Sequence, residues 1–258
     1  MGFGGSGTQD GAPKGRGGTD PHRPPPVVAV SERAVLVRLA TSPSPASQQR
    51  VAALVQALDD ARPSWLVDCV PAYATVLVVF DPQAASIEQV RRTVRLAVAS
   101  ARSRPDVARR VVIPVWYDPR VGPDLEEVAR LHGLSVGEVV ARHTGREYLV
   151  YALGFKPGFP YLGFVDDRLV TPRLATPRVT VPAGSVGIAG RQTGIYPVAS
   201  PGGWRILGRT PLAIFDPASA EPFRLRPGDR VRFEAIDEGQ FAALAAGGRS
   251  EALHRPQL

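Results

Sequence analysis

The hydrophobic and polar positions of residues 34–115 follow two alternating periods. Short apolar runs predict four strands, at residues 34–40, 65–70, 74–80 and 110–115. Apolar positions at helical spacing predict two helices, at residues 47–61 and 86–101. The second helix opens with Ser86 and Gln89, the spacing of a capping box. The order βαββαβ predicts a ferredoxin-like sandwich.

The next segment predicts two short helices around Gly133, at residues 124–132 and 135–143. Ser135 and Glu138 form a second capping box. A DNA-reading helix-turn-helix is the competing interpretation of this pattern. Acidic side chains outnumber basic ones on these helices, so phosphate would be repelled more than attracted.

From residue 147 onward the pattern changes to short apolar runs separated by Pro-Gly and Gly-Gly steps, which predicts an all-β barrel or sandwich. The predicted strands lie at residues 148–153, 179–181, 186–189, 212–215 and 231–233. A helix and a loose tail follow from residue 237. The chain therefore divides into an arm (1–27), a ferredoxin-like domain (28–118), a helical linker (119–146) and a β domain (147–258).

The β domain contains a series of Gly- and Pro-rich motifs. They are FKPGFPYL (155–162), the steps Pro172-Arg173 and Pro177-Arg178, VPAGSV (181–186), IAGRQTGIYP (188–197) and SPGGWRILGRTP (200–211). Together they resemble the family that holds the 5-oxoprolinase component PxpB and the histidine-kinase inhibitor KipI, which is itself similar to part of the carboxyltransferase domain (subdomains C and D) of urea amidolyase. The resemblance runs from about residue 35 to residue 232. It implies an α+β fold, with an N-terminal ferredoxin-like domain followed by a C-terminal cyclophilin-like barrel.

The resemblance also implies a function, and it leaves alternatives open. The first is a subunit of an ATP-dependent 5-oxoprolinase, which hydrolyses 5-oxo-L-proline to L-glutamate only together with partner subunits. These would be a second carboxyltransferase-like (PxpC-like) subunit and a LamB/YcsF-like (PxpA-like) subunit, and ATP would be bound with or by them. The alternatives are a KipI-like inhibitor of a sensor histidine kinase and an allophanate hydrolase or urea amidolyase-type component.

The composition of the chain argues against nucleic-acid binding, membrane insertion and secretion. The net charge of +7 comes almost wholly from arginine, and no basic block interleaves with aromatic residues, so nucleic-acid binding is not expected. No apolar run approaches the ~20 residues that span a bilayer, and the first residues do not resemble a secretory signal, so a cytoplasmic protein is expected. The arm of residues 1–27 has little to bury and is expected to be disordered.

Cysteine and histidine offer little obvious chemistry. The single cysteine, Cys69, excludes an internal disulfide and is expected to be a buried, inert thiol. The histidines are scattered without metal-ligand spacing, so no metal site is expected. His143 is expected to act as a cation at the end of its helix.

The remaining candidates are polar side chains held in rigid turns, where a ligand could approach. Catalytic residues are not identified. The candidate substrate-binding residues are Arg178, Arg209, Gln192, Thr193, Tyr196, Arg173, Lys156, Ser185 and Ser200. In the alternative interpretation the arginines pair with Asp166, Asp167 or Asp216 and brace the barrel. Phe155, Phe159, Tyr161 and Trp204 are expected to be core or interface residues rather than stacking platforms for a ligand.

Overall fold

The computed structural model describes residues 26–101 and 108–247 of the 258-residue chain. The arm up to residue 25 and the predicted tail beyond residue 247 lie outside these ranges. The α+β class is confirmed, since a four-stranded sheet with two helices precedes a closed seven-stranded barrel.

The N-terminal module comprises β1 (Val27–Ser31), β2 (Ala34–Arg38), α1 (Pro45–Ala61), β3 (Leu66–Pro71), β4 (Thr75–Phe80) and α2 (Ile87–Ser100). Its antiparallel sheet has the order β1-β2-β4-β3. Both helices pack on one face of the sheet, where Val37 and Val78 share a buried cluster with Leu54 of α1 and Val94 of α2. The side chains of Ser44 and Ser47 cap α1, and the predicted capping box at Ser86 opens α2.

One predicted strand joins a different sheet. The strand at residues 110–115 was expected to complete the ferredoxin-like sheet, but β5 (Arg110–Trp116) pairs in parallel with β13 (Arg230–Ile236) inside the barrel. Its expected edge position is taken by β1, which forms a hairpin with β2. The sequence analysis missed β1, because its apolar residues follow directly on the Pro-rich arm.

The barrel has the closed order β10-β7-β6-β13-β5-β12-β9. Its further strands are β6 (Glu147–Leu153), β7 (Pro160–Gly163), β9 (Ser185–Ala189), β10 (Gln192–Ile195) and β12 (Arg205–Arg209), while β8 (Arg178–Val181) and β11 (Ser200–Gly202) form a separate two-stranded sheet. The predicted strand at residues 212–215 is wrong. Only Phe215 makes a single bridge, to Phe223, because prolines at 211 and 217 flank the segment and remove ladder donors.

The two predicted linker helices are confirmed as α3 (Leu125–His132) and α4 (Val136–Thr144). Gly133 ends α3 with a φ of 60°, and the Ser135–Glu138 capping box opens α4. Leu125, Val128 and Val139 belong to the buried cluster of the barrel. These helices therefore pack as part of the barrel module.

The last described helix, α5 (Glu238–Ala246), lies against the barrel through Phe241, whose ring centroid is 5.5 Å from that of Trp116. The helix predicted from residue 237 is therefore confirmed. Across residues 26–101 and 108–247, no helix is long and apolar enough to cross a membrane.

Candidate functional site

The Gly- and Pro-rich motifs build a second hydrophobic cluster, distinct from the barrel core. We call it the aromatic cluster; its members are Phe159, Val181, Ala189, Tyr196, Trp204 and Ile206, with Tyr161 packed against them. The ring of Phe159 lies at its centre, with its centroid 5.0 Å from that of Tyr161, 5.3 Å from that of Tyr196 and 5.3 Å from that of Trp204. All three pairs meet edge to face, an arrangement that aromatic quadrupoles favour.

Two motif glycines make room for these rings. A Cβ at Gly194 would lie 2.9 Å from the Phe159 ring and 3.0 Å from the Trp204 ring. A Cβ at Gly202 would lie 2.2 Å from the Tyr196 hydroxyl oxygen. The glycines of the QTGIYP and SPGGW motifs are therefore required because aromatic side chains lie directly on the backbone there.

Tyr73 of the N-terminal module, at the tip of the β3–β4 hairpin, lies beside the aromatic cluster. Its ring stacks on that of Tyr151, with centroids 5.6 Å apart and planes inclined by 25°. Its centroid is 6.1 Å from that of Tyr161, and its hydroxyl accepts a hydrogen bond from Nε2 of Gln192. The site therefore draws on both modules.

Two cations border the aromatic cluster. The guanidinium of Arg173 lies 6.0 Å from the ring centroid of Trp204, and the ammonium of Lys156 lies 5.9 Å from that of Phe155. Among the described carboxylates, none forms an ion pair with either cation. Burial raises the pKa of the Tyr73 phenol, while the Gln192 hydrogen bond and the charge of Arg173 oppose that rise.

We define the aromatic–arginine surface as Tyr73, Tyr161, Arg173, Gln192 and Trp204. The two tyrosines and the glutamine are half-buried, Arg173 is exposed, and Trp204, which Arg173 approaches, is buried. A guanidinium binds carboxylates in a planar fork, a carboxamide both donates and accepts hydrogen bonds, and aromatic faces stack on planar groups. This surface therefore suits a small planar anion.

Arg178 is occupied elsewhere. Its two terminal nitrogens donate to the two carboxylate oxygens of Asp124, at 2.9 and 2.8 Å. Asp124 is only 2% exposed and also accepts from the backbone N–H of Ile206, at 2.7 Å. Arg178 thus ties β8 to the start of α3. The bracing interpretation had named other acids as partners for the arginines, so this partner was not anticipated.

The other candidates are dispersed. Nε of Arg209 donates to the carbonyl oxygen of Ala183 at 2.9 Å, and Arg209 makes no ion pair with a carboxylate in the described ranges. Ser185 and Ser200 are buried, and Oγ of Ser200 has no hydrogen-bond partner among the described residues. Tyr196 lies inside the aromatic cluster. Of the predicted residues, the structure brings Arg173, Gln192 and Tyr196 together around this cluster, with Lys156 at its edge.

Thr193 belongs to a buried chain of hydrogen bonds. Its hydroxyl donates to the carbonyl of Gly187 at 3.0 Å, so Nε2–H of His143 must donate to Thr193 Oγ1 at 2.9 Å. Nδ1 of His143 then accepts from the hydroxyl of Tyr117 at 2.7 Å. This arrangement defines one neutral tautomer of the histidine.

The expectation that His143 acts as a helix-end cation is wrong. The side chain is completely buried, and burial lowers its pKa from 6.5 to about 3. Cys69 was expected to be buried but is half-buried; burial, followed by the charges of Asp59 and Asp68, raises its pKa to about 12, which agrees with an inert thiol. Within the described ranges, no group of three His, Cys, Asp or Glu side chains could hold a metal ion.

The sequence analysis missed Tyr73 and Asp124 as parts of this region. An aromatic residue in a hairpin turn, as in Pro71-Ala72-Tyr73, is a usable signal, because turns expose their side chains and often carry binding residues. Asp124 offered no comparable signal, since it reads as an ordinary helix-start residue.

Comparison with known proteins shows which protein family this sequence matches. The sequence matches the carboxyltransferase domain, subdomain C and D, over residues 25–225. It is 45% identical to the B-type subunit of 5-oxoprolinase from Bacillus subtilis (strain 168), over 69% of this chain and 78% of the relative. It is 46% identical to the same subunit from Escherichia coli O157:H7, over 81% of this chain and 95% of the relative.

A solved structure gives the same result for the fold. The crystal structure of TTHA0988 superposes with a TM-score of 0.72 at 44% identity, over 80% of this chain. The match covers 40% of the TTHA0988 chain, so this chain spans less than half of that protein.

Proposed function

This chain belongs to the family of the carboxyltransferase domain, subdomains C and D, and we propose that it works as the B-type (PxpB-like) subunit of a 5-oxoprolinase that opens 5-oxo-L-proline to L-glutamate with ATP hydrolysis. One observation carries the proposal. Three curated relatives that bear the name of this 5-oxoprolinase subunit are 45%, 46% and 38% identical to this chain over most of their own length.

The partners follow from this role, because one subunit of a 5-oxoprolinase implies further subunits of the same enzyme. We propose a second carboxyltransferase-like (PxpC-like) subunit and a LamB/YcsF-like (PxpA-like) subunit. The larger size of TTHA0988 supports a module that works beside further polypeptide, since the matched region makes up 40% of that chain.

The aromatic–arginine surface is our candidate for the substrate contact. 5-Oxoproline is a planar cyclic amide that carries a carboxylate. Arg173 has no carboxylate partner among the described residues, so its guanidinium is available to bind that group, while Tyr161 offers a ring face.

ATP fits this surface less well. Mg²⁺ that accompanies a nucleotide prefers carboxylate oxygens, and none of the residues of the aromatic–arginine surface is a carboxylate. We therefore assign ATP to a site formed with or by the partner subunits. When bound there, ATP supplies the phosphoryl group that activates the amide.

The test is reconstitution. The chain is expressed alone and together with the two partner subunits, and glutamate release and ATP hydrolysis are measured. We expect coupled turnover only in the assembled complex. An assembled complex without 5-oxoproline-dependent ATP hydrolysis would refute the proposed function.

A substitution then tests the site. Arg173→Ala should lower kcat/KM of the complex about ten- to a hundredfold, the scale of losing a hydrogen bond to a charged group. The matched control is Arg191→Ala, which removes an exposed arginine that lies 5.9 Å from the ring centroid of Phe164 and pairs with Asp167. If both variants behave alike, the site is wrong although the function can still hold.

A further inference from the structure

We infer that Tyr73 is a ligand-binding residue, and that through it ligand binding and docking of the N-terminal module on the barrel stabilise each other. The inference rests on the proposed function and deepens it. It assigns the hairpin tip of the N-terminal module to a site that the barrel motifs alone do not complete.

The first observation is that Tyr73 contacts the barrel in three ways. It stacks on Tyr151, lies 6.1 Å from Tyr161 with an interplanar angle of 58°, and accepts a hydrogen bond from Gln192. Tyr151 is buried, whereas Tyr73 and Tyr161 are each half-buried. The exposed parts of the Tyr73 and Tyr161 rings therefore belong to one continuous surface to which both modules contribute.

The second observation is that the backbone of Tyr73 is anchored in its own module. The hydroxyl of Ser47, at the start of α1, shares its hydrogen between the carbonyl oxygens of Ser44, at 2.8 Å, and Tyr73, at 3.0 Å. The N–H of Ala72 donates to the carbonyl of Thr75 at 2.9 Å and closes the hairpin turn. The backbone that carries the Tyr73 ring therefore moves with the N-terminal module, and the contacts of the ring with the barrel depend on where that module docks.

The third observation is that the strands and helices of the two modules make little direct contact with one another. Over residues 26–101 and 108–247, no strand or helix of the N-terminal module packs along a barrel strand. A further approach is that of the Gln48 amide to Gly228, where an added Cβ would lie 3.3 Å from Nε2. Small contacts of this kind allow relative motion, so a ligand that bridges the modules changes the docking equilibrium measurably.

The chemistry of the surface selects a cyclic amide with a carboxylate. Nε2 of Gln192 is used by Tyr73, and Oε1 of Gln192 makes no hydrogen bond within the described residues. That oxygen can accept the N–H of a lactam, while Arg173 binds the carboxylate and the rings of Tyr73 and Tyr161 cover the planar ring. Such a ligand contacts both modules at once.

The experiment uses the assembled complex with variants of Tyr73. Tyr73→Ala should raise KM for 5-oxo-L-proline about tenfold or more, because a ring contact and a hydrogen bond are lost. Tyr73→Phe should raise KM about two- to tenfold, the effect of one hydrogen bond. Phe241→Ala is the matched control, since it removes a half-buried ring that packs on Trp116 of the same barrel, and KM should stay within about twofold.

A second readout separates binding from structure. Amide hydrogen exchange of the hairpin turn at residues 72–75 should slow when 5-oxo-L-proline is added to the wild-type complex, and should not respond in the Tyr73→Ala complex. If Tyr73→Ala fails to assemble, Tyr73→Phe decides, since it keeps the ring and its stacking.

The outcomes distinguish the two proposals. An active complex in which both Tyr73 variants keep the wild-type KM, or in which ligand leaves exchange of the hairpin unchanged, overturns this inference and leaves the proposed function intact. A wild-type complex without activity overturns the proposed function, and this inference falls with it.

Discussion

Replacement of His143 should remove much of the acid sensitivity of this fold. The imidazole is completely buried and stacks on Phe233, with a centroid distance of 4.6 Å. Its hydrogen bonds to Tyr117 and Thr193 keep it in the neutral form. Burial lowers its pKa from 6.5 to about 3. Between these values the unfolded chain binds a proton that the folded chain does not, so stability is complete above the unfolded pKa and falls as the pH drops.

The magnitude follows from linkage. Each pH unit inside this window costs about 1.4 kcal/mol, so lowering the pH from about 7.5 to about 5 should cost about 2 kcal/mol through His143 alone. The measurement is the free energy of unfolding in urea at the two pH values. In His143→Phe this contribution should vanish, although the variant should be less stable at the higher pH by about 2 kcal/mol, because two hydrogen bonds are lost.

Tyr117→Phe is the matched control. It removes the hydrogen bond to Nδ1 and should lower stability by about 1 kcal/mol, but the buried imidazole and its pH dependence remain. If His143→Phe and the wild type lose the same free energy on acidification, the buried neutral histidine is not the cause of the acid sensitivity.

Two further substitutions test the packing around the site. Arg178→Ala should destabilise the chain by about 3 kcal/mol, because it leaves the carboxylate of Asp124 buried without its main partner. The control Arg191→Ala, at an exposed ion pair, should cost less than about 1 kcal/mol. Equal losses of unfolding free energy in denaturant would contradict the bracing role of Arg178. Gly194→Ala should lower the free energy of unfolding by about 1–3 kcal/mol, since the added Cβ meets two rings and a backbone oxygen. The control Gly137→Ala, which has open space around it in a helix, should be neutral or slightly stabilising. A melting temperature of Gly194→Ala at or above that of the wild type would show that the rings are not held as described.

Local signals in the sequence were sufficient for much of the fold. The helix starts at Ser86 and Ser135 depend on a side chain and a backbone group three residues apart, so they could be predicted from neighbouring letters alone. The turn chemistry of the motif stretch predicted an all-β barrel or sandwich for the same reason, and the family resemblance selected the barrel. The division of the chain into its four segments stays a prediction.

The pairing of strands could not be predicted from such local signals. The pattern of β5 shows that residues 110–116 form a strand, but it carries no information on which sheet that strand joins. Its partner β13 lies about 120 residues later, and parallel pairing leaves no hairpin turn between them to signal it. The ferredoxin-like pattern therefore appeared complete although its last strand belongs to the barrel.

The site divides in the same way. The Gly- and Pro-rich motifs marked the stretch that holds the candidate residues, and the sequence alone named nine of them without separating Arg173, Gln192 and Tyr196 from the rest. Only the tertiary structure showed that Arg178 is held by Asp124, 54 positions away in sequence, and that Gln192 meets Tyr73, 119 positions away. A side chain's partner at such separations is decided by how the modules pack, because the charge or ring itself is compatible with many partners until the fold brings one within contact distance.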